Sequence, residues 1–492
     1  MKKPTNIWII FCLQAFLFLA NSLVAKPPNI LLIVSEDNGP ELSCYGEPYV
    51  KTPVLDKLAA QAVRFDRAYV PQAGCSQSRA AYLTGLYPHQ NGQIGLATWK
   101  FGMYREDTPN MVTSLKRAGY RTGIIGKLHI NPASAFPFDF QAVSESNFSR
   151  KKLSRYAEEA GRFFESGKEP FFLSINYPDA HRPFIKSKAN LPAKPLTADQ
   201  VKTLAYIGLE SEGLRQQVAD YYNCMARLDA LVGELLAKLK ASGKYDDTLI
   251  VYLGDHGADL IRGKRTCYEG GVRVPLIVRL PKGKADQVRR ELVSTLDLFP
   301  TFLEVSGAEP VADLPGRSLL PLLRGEKPKW RKYMPTEYHL HSAHNYYPQR
   351  AIRNDRYKLI ENLQPDEEDP GYAFTINRFF GQQVLAALPK APKKVQAAYA
   401  LMQRPPKYQL YDLQKDPYEF INLADDPAYR SARHELSTEL TRWRRVTHDP
   451  LLNQVNLSRL KAEIDTIRQG NDFNKAKIGQ WKYPEYFFKK GS

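Results

Sequence analysis

The sequence has few cysteines. Five occur in 492 residues, and one of them, Cys12, lies in an apolar segment close to the N-terminus. Such a low density excludes the class of small proteins that several disulfide bonds hold together. The length is instead sufficient for one large domain with its own hydrophobic core and a smaller second domain.

No hydrophobic run long enough to cross a bilayer follows the first 25 residues. At the N-terminus, Lys2 and Lys3 precede an apolar stretch over residues 7–20, and Ala25 closes the segment Ser-Leu-Val-Ala. This pattern predicts a signal peptide over residues 1–25. A membrane anchor is the alternative, but the stretch is short for a span. We therefore expect no membrane span and an exported protein, periplasmic or secreted.

Acidic residues are fewer than basic ones. The chain has 52 Asp and Glu against 69 Lys and Arg, which gives a net charge of +17. A solvated surface is one interpretation, and a long-range field that attracts polyanions is the other. Nucleic acid is not expected as a partner, because no recognition motif is present and the protein is predicted to be exported. A sulfated polysaccharide agrees with both the charge and the compartment.

Four short apolar runs end in polar residues of catalytic type. Each run has the length of a buried strand, and helical patterns separate the runs, the longest over residues 213–240. Strands that alternate with helices predict a mainly parallel sheet, with ligands bound beyond the carboxyl ends of the strands. The polar residues that follow the runs are Glu36 and Asp37, Lys127 and His129, His181, and Asp255 and His256.

We therefore predict an α/β fold. A catalytic domain over residues 26–335 should contain a mixed, mainly parallel sheet between layers of helices. A smaller C-terminal α+β domain over residues 336–492 should carry a short antiparallel sheet and a helix that includes Leu436 and Trp443. Three prolines among charged residues set the boundary between the two domains.

Three acidic residues at strand ends indicate a metal site. Glu36, Asp37 and Asp255 offer the hard oxygen ligands that a divalent cation such as calcium prefers. Such a cation can act as a Lewis acid on the oxygens of an anionic substrate. Capping of a helix N-terminus would explain one of these acids, but it does not explain three at separate strand ends.

Cys75 and Arg79 lie four residues apart in the segment Gly-Cys-Ser-Gln-Ser-Arg-Ala-Ala-Tyr-Leu-Thr-Gly. A buried structural thiol is one interpretation of the cysteine. The segment also resembles the C-x-(P/A)-x-R signature of the type I sulfatases. The resemblance implies an alkaline-phosphatase-like sulfatase fold, and a maturation enzyme that oxidises Cys75 to formylglycine, whose hydrated aldehyde attacks sulfur. Gln77 replaces the usual Pro or Ala, a departure that bears on this conversion.

The same resemblance implies one calcium ion at the predicted metal site. Its ligands would be Glu36, Asp37, Asp255, His256 and the formylglycine oxygen at position 75. Many relatives have Asp and Asn where this chain has Glu36 and His256. A hydrogen bond to the sulfate is the alternative role for His256, because histidine is a softer ligand than calcium usually takes.

The resemblance also implies roles for the remaining polar residues. Arg79 would steady the aldehyde hydrate, and His129 would help to regenerate the aldehyde. Lys127 and Lys264 would hold the sulfate group. His181 would give a proton to the leaving group, a task for which a near-neutral pKa is suited.

Features distributed along the chain look like the heparan N-sulfatase (sulfamidase) branch of the family. They lie in residues 88–92, in residues 136–140, around Arg350, and in residues 443–450. That branch cleaves the S–N bond of N-sulfated glucosamine at a chain end. The resemblance therefore implies an N-sulfoglucosamine sulfohydrolase. An O-sulfatase of algal polysaccharides or glycosaminoglycans is the alternative.

A polar, histidine-rich segment follows the predicted catalytic domain. It contains Glu337, His339, His341 and His344, and Arg350 comes shortly after. We interpret it as a sugar-binding loop, with His339 and Arg350 as substrate contacts. Arg350 is suited to bidentate pairing with a uronate or a second sulfate. A salt bridge to Asp355 or another neighbour is the alternative.

Two further classes of function are weighed against the sulfatase prediction. Phosphomonoesterases and phosphodiesterases share the predicted fold, but they use Ser or Thr as the nucleophile and usually two zinc ions. A catalytically silent binder of sulfated glycans would require Cys75 to stay a thiol. The mass of the peptide that contains Cys75 distinguishes such a binder from an active sulfatase.

Overall fold

A computed structural model of the chain describes residues 27–469 and 478–488. The predicted signal peptide lies outside these residues. Within the described ranges, no helix is long and apolar enough to cross a membrane.

The larger of two sheets has nine strands in the order β4-β3-β5-β1-β6-β7-β2-β8, with β9 also paired to β2. All pairs are parallel except those of β7 with β6 and with β2, so β7 alone runs against the other strands. The strands are β1 (Asn29–Ser35), β2 (Val63–Tyr69), β3 (Arg121–Gly126), β4 (Phe140–Ala142), β5 (Phe171–Tyr177), β6 (Thr248–Gly254), β7 (Arg273–Arg279), β8 (Gln287–Arg289) and β9 (Val293–Ser294). The prediction of a mixed, mainly parallel sheet is confirmed.

The four central strands end at the same level. In the register of the sheet, Ser35 at the end of β1 is opposite both Tyr177 of β5 and Gly254 of β6, and Gly126 of β3 is opposite Asn176. All seven residues of β1, β5 and β6 are buried, as expected for parallel strands covered on both faces. The segments that follow these strands therefore start side by side.

Helices cover both faces of the large sheet, and two hydrophobic clusters lie on its two sides. The longest helix has 30 residues, begins after the Ser211 cap, and buries the apolar stripe expected from its sequence, including Met225 and Leu228. The helices up to the second sheet are α1 (Pro53–Ala59), α2 (Cys75–Thr84), α3 (Pro88–Asn91), α4 (Met111–Arg117), α5 (Ser154–Glu165), α6 (Glu212–Ala241), α7 (Glu269–Val272), α8 (Leu298–Ser306) and α9 (Leu320–Leu323).

The second sheet is antiparallel and has four strands, in the order β10-β11-β12-β13. Its strands are β10 (Met334–Tyr338), β11 (Gln349–Arg353), β12 (Tyr357–Asn362) and β13 (Tyr408–Asp412). The helices of this part are α10 (Pro370–Thr375), α11 (Gly381–Ala387), α12 (Lys393–Gln403), α13 (Arg430–Val446), α14 (Gln454–Gln469) and α15 (Tyr483–Phe487). Both the short antiparallel sheet and the predicted helix, which is α13, are present. The predicted domain boundary falls inside β10, which begins at Met334.

Contacts join the second sheet and the C-terminal segment to the preceding part of the chain. Glu269 of α7 pairs with Lys358 of β12 at 3.1 Å and with Arg353 of β11 at 2.8 Å. Near the C-terminus, the Trp481 ring stacks on Phe101 with a centroid distance of 4.2 Å. The second sheet is therefore packed firmly against the part of the chain that carries the strand ends.

Candidate active site

The segments that follow β1, β3, β5 and β6 form one buried cluster. The backbone N–H of Glu36 donates to the carbonyl of Asp179 at 3.1 Å, and the backbone N–H of Asp255 donates to the carbonyl of Ser35 at 2.9 Å. All the predicted site residues except His339 and Arg350 are brought together here. They are Glu36, Asp37, Cys75, Arg79, Lys127, His129, His181, Asp255, His256 and Lys264.

Cys75 is the first residue of α2, a ten-residue helix that is buried throughout. The extended backbone of Gly74 precedes the helix, and Gly85 ends it in the left-handed conformation at φ 71°. Cys75 Sγ is 3.4 Å from His256 Nε2 and 3.4 Å from Lys264 Nζ. Because the N-terminus of a helix carries partial positive charge, an anion at Cys75 is favoured by both the helix and the ammonium group.

Each carboxylate of the cluster faces a cation. Lys127 Nζ is 2.9 Å from Glu36 Oε2, and Lys264 Nζ is 2.9 Å from Asp37 Oδ1. Arg79 bridges two strand ends, because its Nη2 atom is 2.5 Å from Glu36 and 3.2 Å from an oxygen of Asp255. Its Nη1 atom donates to the carbonyl of Lys127 at 3.0 Å.

The neighbouring cationic side chains determine which of the buried carboxylates stay ionised. Burial alone would raise the pKa of Glu36 and of Asp37, but Lys127 and Arg79 hold the pKa of Glu36 well below its usual value, and Lys264 lowers the pKa of Asp37. Burial raises the pKa of Asp255, where the opposite charges compensate less. Glu36 and Asp37 are therefore ionised at neutral pH despite their burial, and each is paired with a cation of the protein.

His256 directs one ring nitrogen into the cluster. Its Nδ1 atom donates to the carbonyl of Gly257 at 2.9 Å, because a carbonyl can only accept. The Nε2 atom then faces Cys75 and lies 3.2 Å from Asp37 Oδ1. Burial lowers the pKa of His256, but the carboxylates of Asp255 and Asp37 outweigh burial and raise it to about 9.

His181 follows β5 and is held on two sides. Its Nδ1 atom donates to the carbonyl of Arg182 at 2.6 Å, which leaves Nε2 as the other ring nitrogen. The ring stacks on Phe148, with centroids 3.7 Å apart and planes at 5°. Burial lowers the pKa of His181 to about 4, so the imidazole is neutral at pH 7. A bound anion would favour the protonated ring.

His129 has an unusual backbone and unpaired ring nitrogens. It adopts a φ of 60°, a left-handed conformation that a non-glycine residue rarely takes. Both ring nitrogens are buried and have no hydrogen-bond partner among the residues that the structure describes. Burial and Lys127 hold its pKa well below the usual value. A buried, unpaired imidazole is costly, which agrees with a ring that contacts a ligand.

The donor atoms of the cluster suit a single hard cation. Glu36, Asp37, Cys75 and His181 offer ligand atoms that lie within 4.8 Å of one another, and so do Cys75, Asp255 and His256. The two groups share Cys75. Three buried carboxylates provide the oxygen ligands that calcium prefers. The residues present therefore fit the predicted ion.

The structure does not bring Arg350 and His339 to this cluster, and we correct their assignment as substrate contacts. Both side chains are fully buried. Arg350 forms two hydrogen bonds of 2.8 Å with Asp449, and His339 Nε2 lies 3.5 Å from Glu337. Arg350 therefore forms a salt bridge, as the alternative interpretation had it, but its partner is Asp449 instead of Asp355.

Two groups of residues at the site were missed in the sequence. Phe148 stacks on His181 and lies 4.9 Å from Lys127 Nζ, and no sequence pattern marked it. Asp179 is fully buried between Arg150, at 3.0 Å, and Arg227, at 2.6 Å. Asp179 lies in the quoted strand-end segment, but its partners come from distant positions and only the fold brings them together.

Two family models match the chain. The model described as Sulfatase matches residues 28–308, and the model described as N-sulphoglucosamine sulphohydrolase, C-terminal, matches residues 254–370. Among curated proteins, the chain is 32% identical to human N-sulphoglucosamine sulphohydrolase over 472 residues, which covers 87% of this chain and 91% of that protein. It is 28% identical to an ulvan-active sulfatase of Formosa agariphila, with 92% and 90% of the two chains covered.

Solved structures share the fold. The protein BT4656, solved in complex with its substrate D-glucosamine-2-N,6-O-disulfate, superposes with a TM-score of 0.65. The match covers 86% of this chain and 99% of that chain at 23% sequence identity. At this identity the likeness concerns the fold, which is the one implied by the sequence signature.

Proposed function

The chain belongs to the sulfatase family, and from that premise we propose that it hydrolyses N-sulfated glucosamine at the end of a sulfated saccharide, through a formylglycine at position 75 and one calcium ion. The observation that carries the proposal is the position of Cys75. It begins a buried helix, lies 3.4 Å from both Lys264 and His256, and is surrounded by the acids of two neighbouring strand ends.

Formylglycine at position 75 is supported by this environment. A formylglycine supplies a hydrated aldehyde whose hydroxyl group attacks sulfur. Around it, Lys264 and the helix N-terminus would stabilise the negative charge of the nucleophile. Conversion by a maturation enzyme precedes folding of this buried position, because Cys75 is 1% exposed in the folded chain.

Calcium is supported by the donor set. Glu36, Asp37, Asp255 and His256 would hold the ion, which when bound supplies a Lewis acid for the sulfate oxygens. Arg79 is hydrogen-bonded to Glu36 and Asp255, so it holds two of these ligands in place instead of facing the sugar.

The other side chains would bind the substrate and give a proton to its leaving nitrogen. The ammonium groups of Lys127 and Lys264 would neutralise sulfate oxygens, the charge that otherwise repels an anionic nucleophile. His181 would carry a proton at Nε2 once the anionic substrate has raised its pKa, and give it to the leaving nitrogen. Phe148 keeps the His181 ring oriented and excludes water from one of its faces.

The nature of the leaving atom is the finer part of the proposal. The C-terminal family model and the human relative carry the name of an N-sulphoglucosamine sulphohydrolase, which supports cleavage of an S–N bond. An O-sulfatase acting on polysaccharide sulfate esters is the second candidate, supported by the similarity to the ulvan-active sulfatase. The N-terminal segment supports export, which would place the enzyme where such polysaccharides occur.

Sulfate release from three matched sugars tests the proposal. The protein would be produced with a maturation enzyme and assayed with calcium on N-sulfated glucosamine and on 6-O- and 3-O-sulfated N-acetylglucosamine. Release from the N-sulfated sugar alone is expected. Release from the O-sulfated sugars alone would replace the proposal by the second candidate. If converted protein releases sulfate from none of the three sugars, both candidate functions are overturned for glucosamine substrates.

A further inference from the structure

The segment that follows β10 is held by hydrogen bonds to its backbone. The side chain of Asn345 accepts hydrogen bonds from the backbone N–H groups of His341, at 2.9 Å, and of Ser342, at 2.7 Å. The carbonyl of His341 accepts a hydrogen bond of 3.1 Å from the N–H of Leu96. The backbone of His341 is therefore fixed on both sides.

Two buried glutamines donate to this segment: Gln77 in the helix that begins at Cys75, and Gln72 just before that helix. The Nε2 atom of Gln77 donates to the carbonyls of Leu340, at 2.7 Å, and Ile94, at 3.2 Å. Gln72 donates to the same two carbonyls, at 3.2 and 3.3 Å. Gln77 lies two residues after Cys75, so one hydrogen bond connects the helix of the nucleophile to the residue before His341.

Gln77 is the departure from the sulfatase signature, and the structure gives it a function. A Pro or Ala at this position has no side-chain donor for the carbonyls of Leu340 and Ile94. Gln77 is fully buried, and its Nε2 atom is paired with these two carbonyls. The substitution thus adds a link between α2 and the second sheet.

The His341 side chain is partly exposed and has an unsatisfied ring nitrogen. Its Nδ1 atom is buried and has no hydrogen-bond partner within residues 27–469 and 478–488. Burial, together with the charges of Lys264 and His256, holds the pKa of His341 well below its usual value, so the ring is neutral. A neutral imidazole can both donate and accept, which suits a hydroxyl or amine group more than a sulfate.

We infer that His341 is a substrate-contact residue that hydrogen-bonds the sugar which carries the sulfate, and that Gln77 is a positioning residue which holds the His341 segment against α2. The inference rests on the proposed function, and it specifies which part of the substrate is contacted from the second sheet. Lys264 and Lys127 face the sulfate, whereas His341 faces a polar group of the ring.

Binding without turnover tests the inference directly. In Cys75→Ala protein, calorimetry would measure the affinity for N-sulfated glucosamine and, separately, for inorganic sulfate. Adding His341→Ala is expected to weaken sugar binding about tenfold, the loss of one hydrogen bond, and to leave sulfate binding within about twofold. His341→Gln, which keeps a donor and an acceptor, should recover part of the loss.

Gln77→Ala should weaken sugar binding in the same direction but by less, about threefold, because Gln72 still holds the segment. The matched control is His434→Ala, an exposed histidine of α13. In the active enzyme with measured Cys75 conversion, His341→Ala should raise KM and change kcat little. Thermal melting of each variant identifies any that does not fold.

Three outcomes separate the possibilities. Unchanged sugar affinity in folded His341→Ala protein would overturn the inference. Parallel weakening of sugar and sulfate binding would also overturn it, since His341 would then belong to the sulfate site. A converted wild-type enzyme that binds the sugar with the expected dependence on His341, but releases no sulfate, would contradict the proposed function and support the inference.

Discussion

Three buried carboxylates lie close together around Cys75, and each contacts a cationic side chain of the protein. Lys127 and Arg79 pair with Glu36, Lys264 pairs with Asp37, and Arg79 also contacts Asp255, whose pKa burial raises. Like charges at short distance destabilise the folded state unless a cation neutralises them. Hard oxygen donors from two separate strand ends therefore favour a bound cation at this place.

The first prediction concerns this ion. Calcium at about 100 times its Kd should stabilise the wild-type protein by about 2.7 kcal/mol, because the ion binds only the folded chain. Asp255→Asn should lose most of this gain, since it removes one charged ligand. Asp246→Asn, which changes a carboxylate that is 94% exposed, should keep it. Thermal unfolding with and without calcium measures the gain, and an equal gain in all three proteins would contradict the prediction.

The second prediction concerns Glu41, which accepts a hydrogen bond of 3.0 Å from the hydroxyl of Tyr221. Burial raises its pKa from 4.5 to about 7. The folded state then binds a proton more tightly than the unfolded state, so the stability of the wild-type protein falls as pH rises through this interval. Glu41→Gln removes that loss, which is at most about 3 kcal/mol.

Urea unfolding at about pH 5 and about pH 8 measures the effect of Glu41. The free energy of unfolding of Glu41→Gln should exceed that of the wild-type protein by more at the higher pH. A difference that is the same at both pH values would show that Glu41 does not titrate in this range.

At the scale of elements, the segment after β5 depends on one buried ion-pair group. Asp179 is held by Arg150 and Arg227, and all three side chains are 0% exposed. The same segment carries His181, whose ring must reach the leaving group. The position of this histidine is therefore set by α6, which carries Arg227, as well as by the sheet.

The third prediction is that Asp179→Ala destabilises the fold by about 3–5 kcal/mol, because it leaves two buried arginines without their partner. Sulfate release should fall by more than the loss of folded protein explains, since His181 also loses its support. Asp107→Ala, which breaks an exposed pair with Arg105, is the control and should change neither quantity measurably. Equal urea midpoints for the two variants would rule out this account of Asp179.

Local sequence patterns were sufficient to predict the strands and helices around the site, but not the contacts between distant segments. Apolar runs of strand length and the 3.6-residue pattern of α6 predicted the sheet edge that gathers Glu36, Lys127, His181 and Asp255, because both signals depend on local periodicity. Contacts between distant segments were beyond such patterns. The burial of Arg350 against Asp449 and the stacking of Phe148 on His181 arise only when the chain is folded.

At the scale of the whole molecule, the net charge of +17 should matter for long substrates. A positive protein attracts a polyanion over a distance that salt shortens, to about 10 Å at 0.1 M. The fourth prediction is that KM for a sulfated polysaccharide rises steeply between low and high salt, whereas KM for a sulfated monosaccharide rises much less. Steady-state kinetics at two salt concentrations measures both values, and an equal rise would contradict a role for the overall field.

The two sheets together complete the site at this scale. The segments that follow the strands of the larger sheet supply the nucleophile, the acids and the lysines. The segment after β10, which carries His341, is linked to the helix of Cys75 by the hydrogen bond from Gln77 to Leu340. The sequence marked this histidine-rich segment as a sugar-binding loop, but it did not separate His341 from the buried His339, because burial depends on the packing of the two sheets.

The central claim is that sulfate release depends on a formylglycine at position 75. It is tested by comparing preparations made with different amounts of the maturation enzyme. The fraction of converted Cys75 is measured by mass spectrometry of the peptide that contains it, and the rate of sulfate release is measured on the best of the three matched sugars. A rate that rises in proportion to the converted fraction, and vanishes in the pure thiol form, is the result we predict. Sulfate release by the thiol form at the same rate would contradict the account.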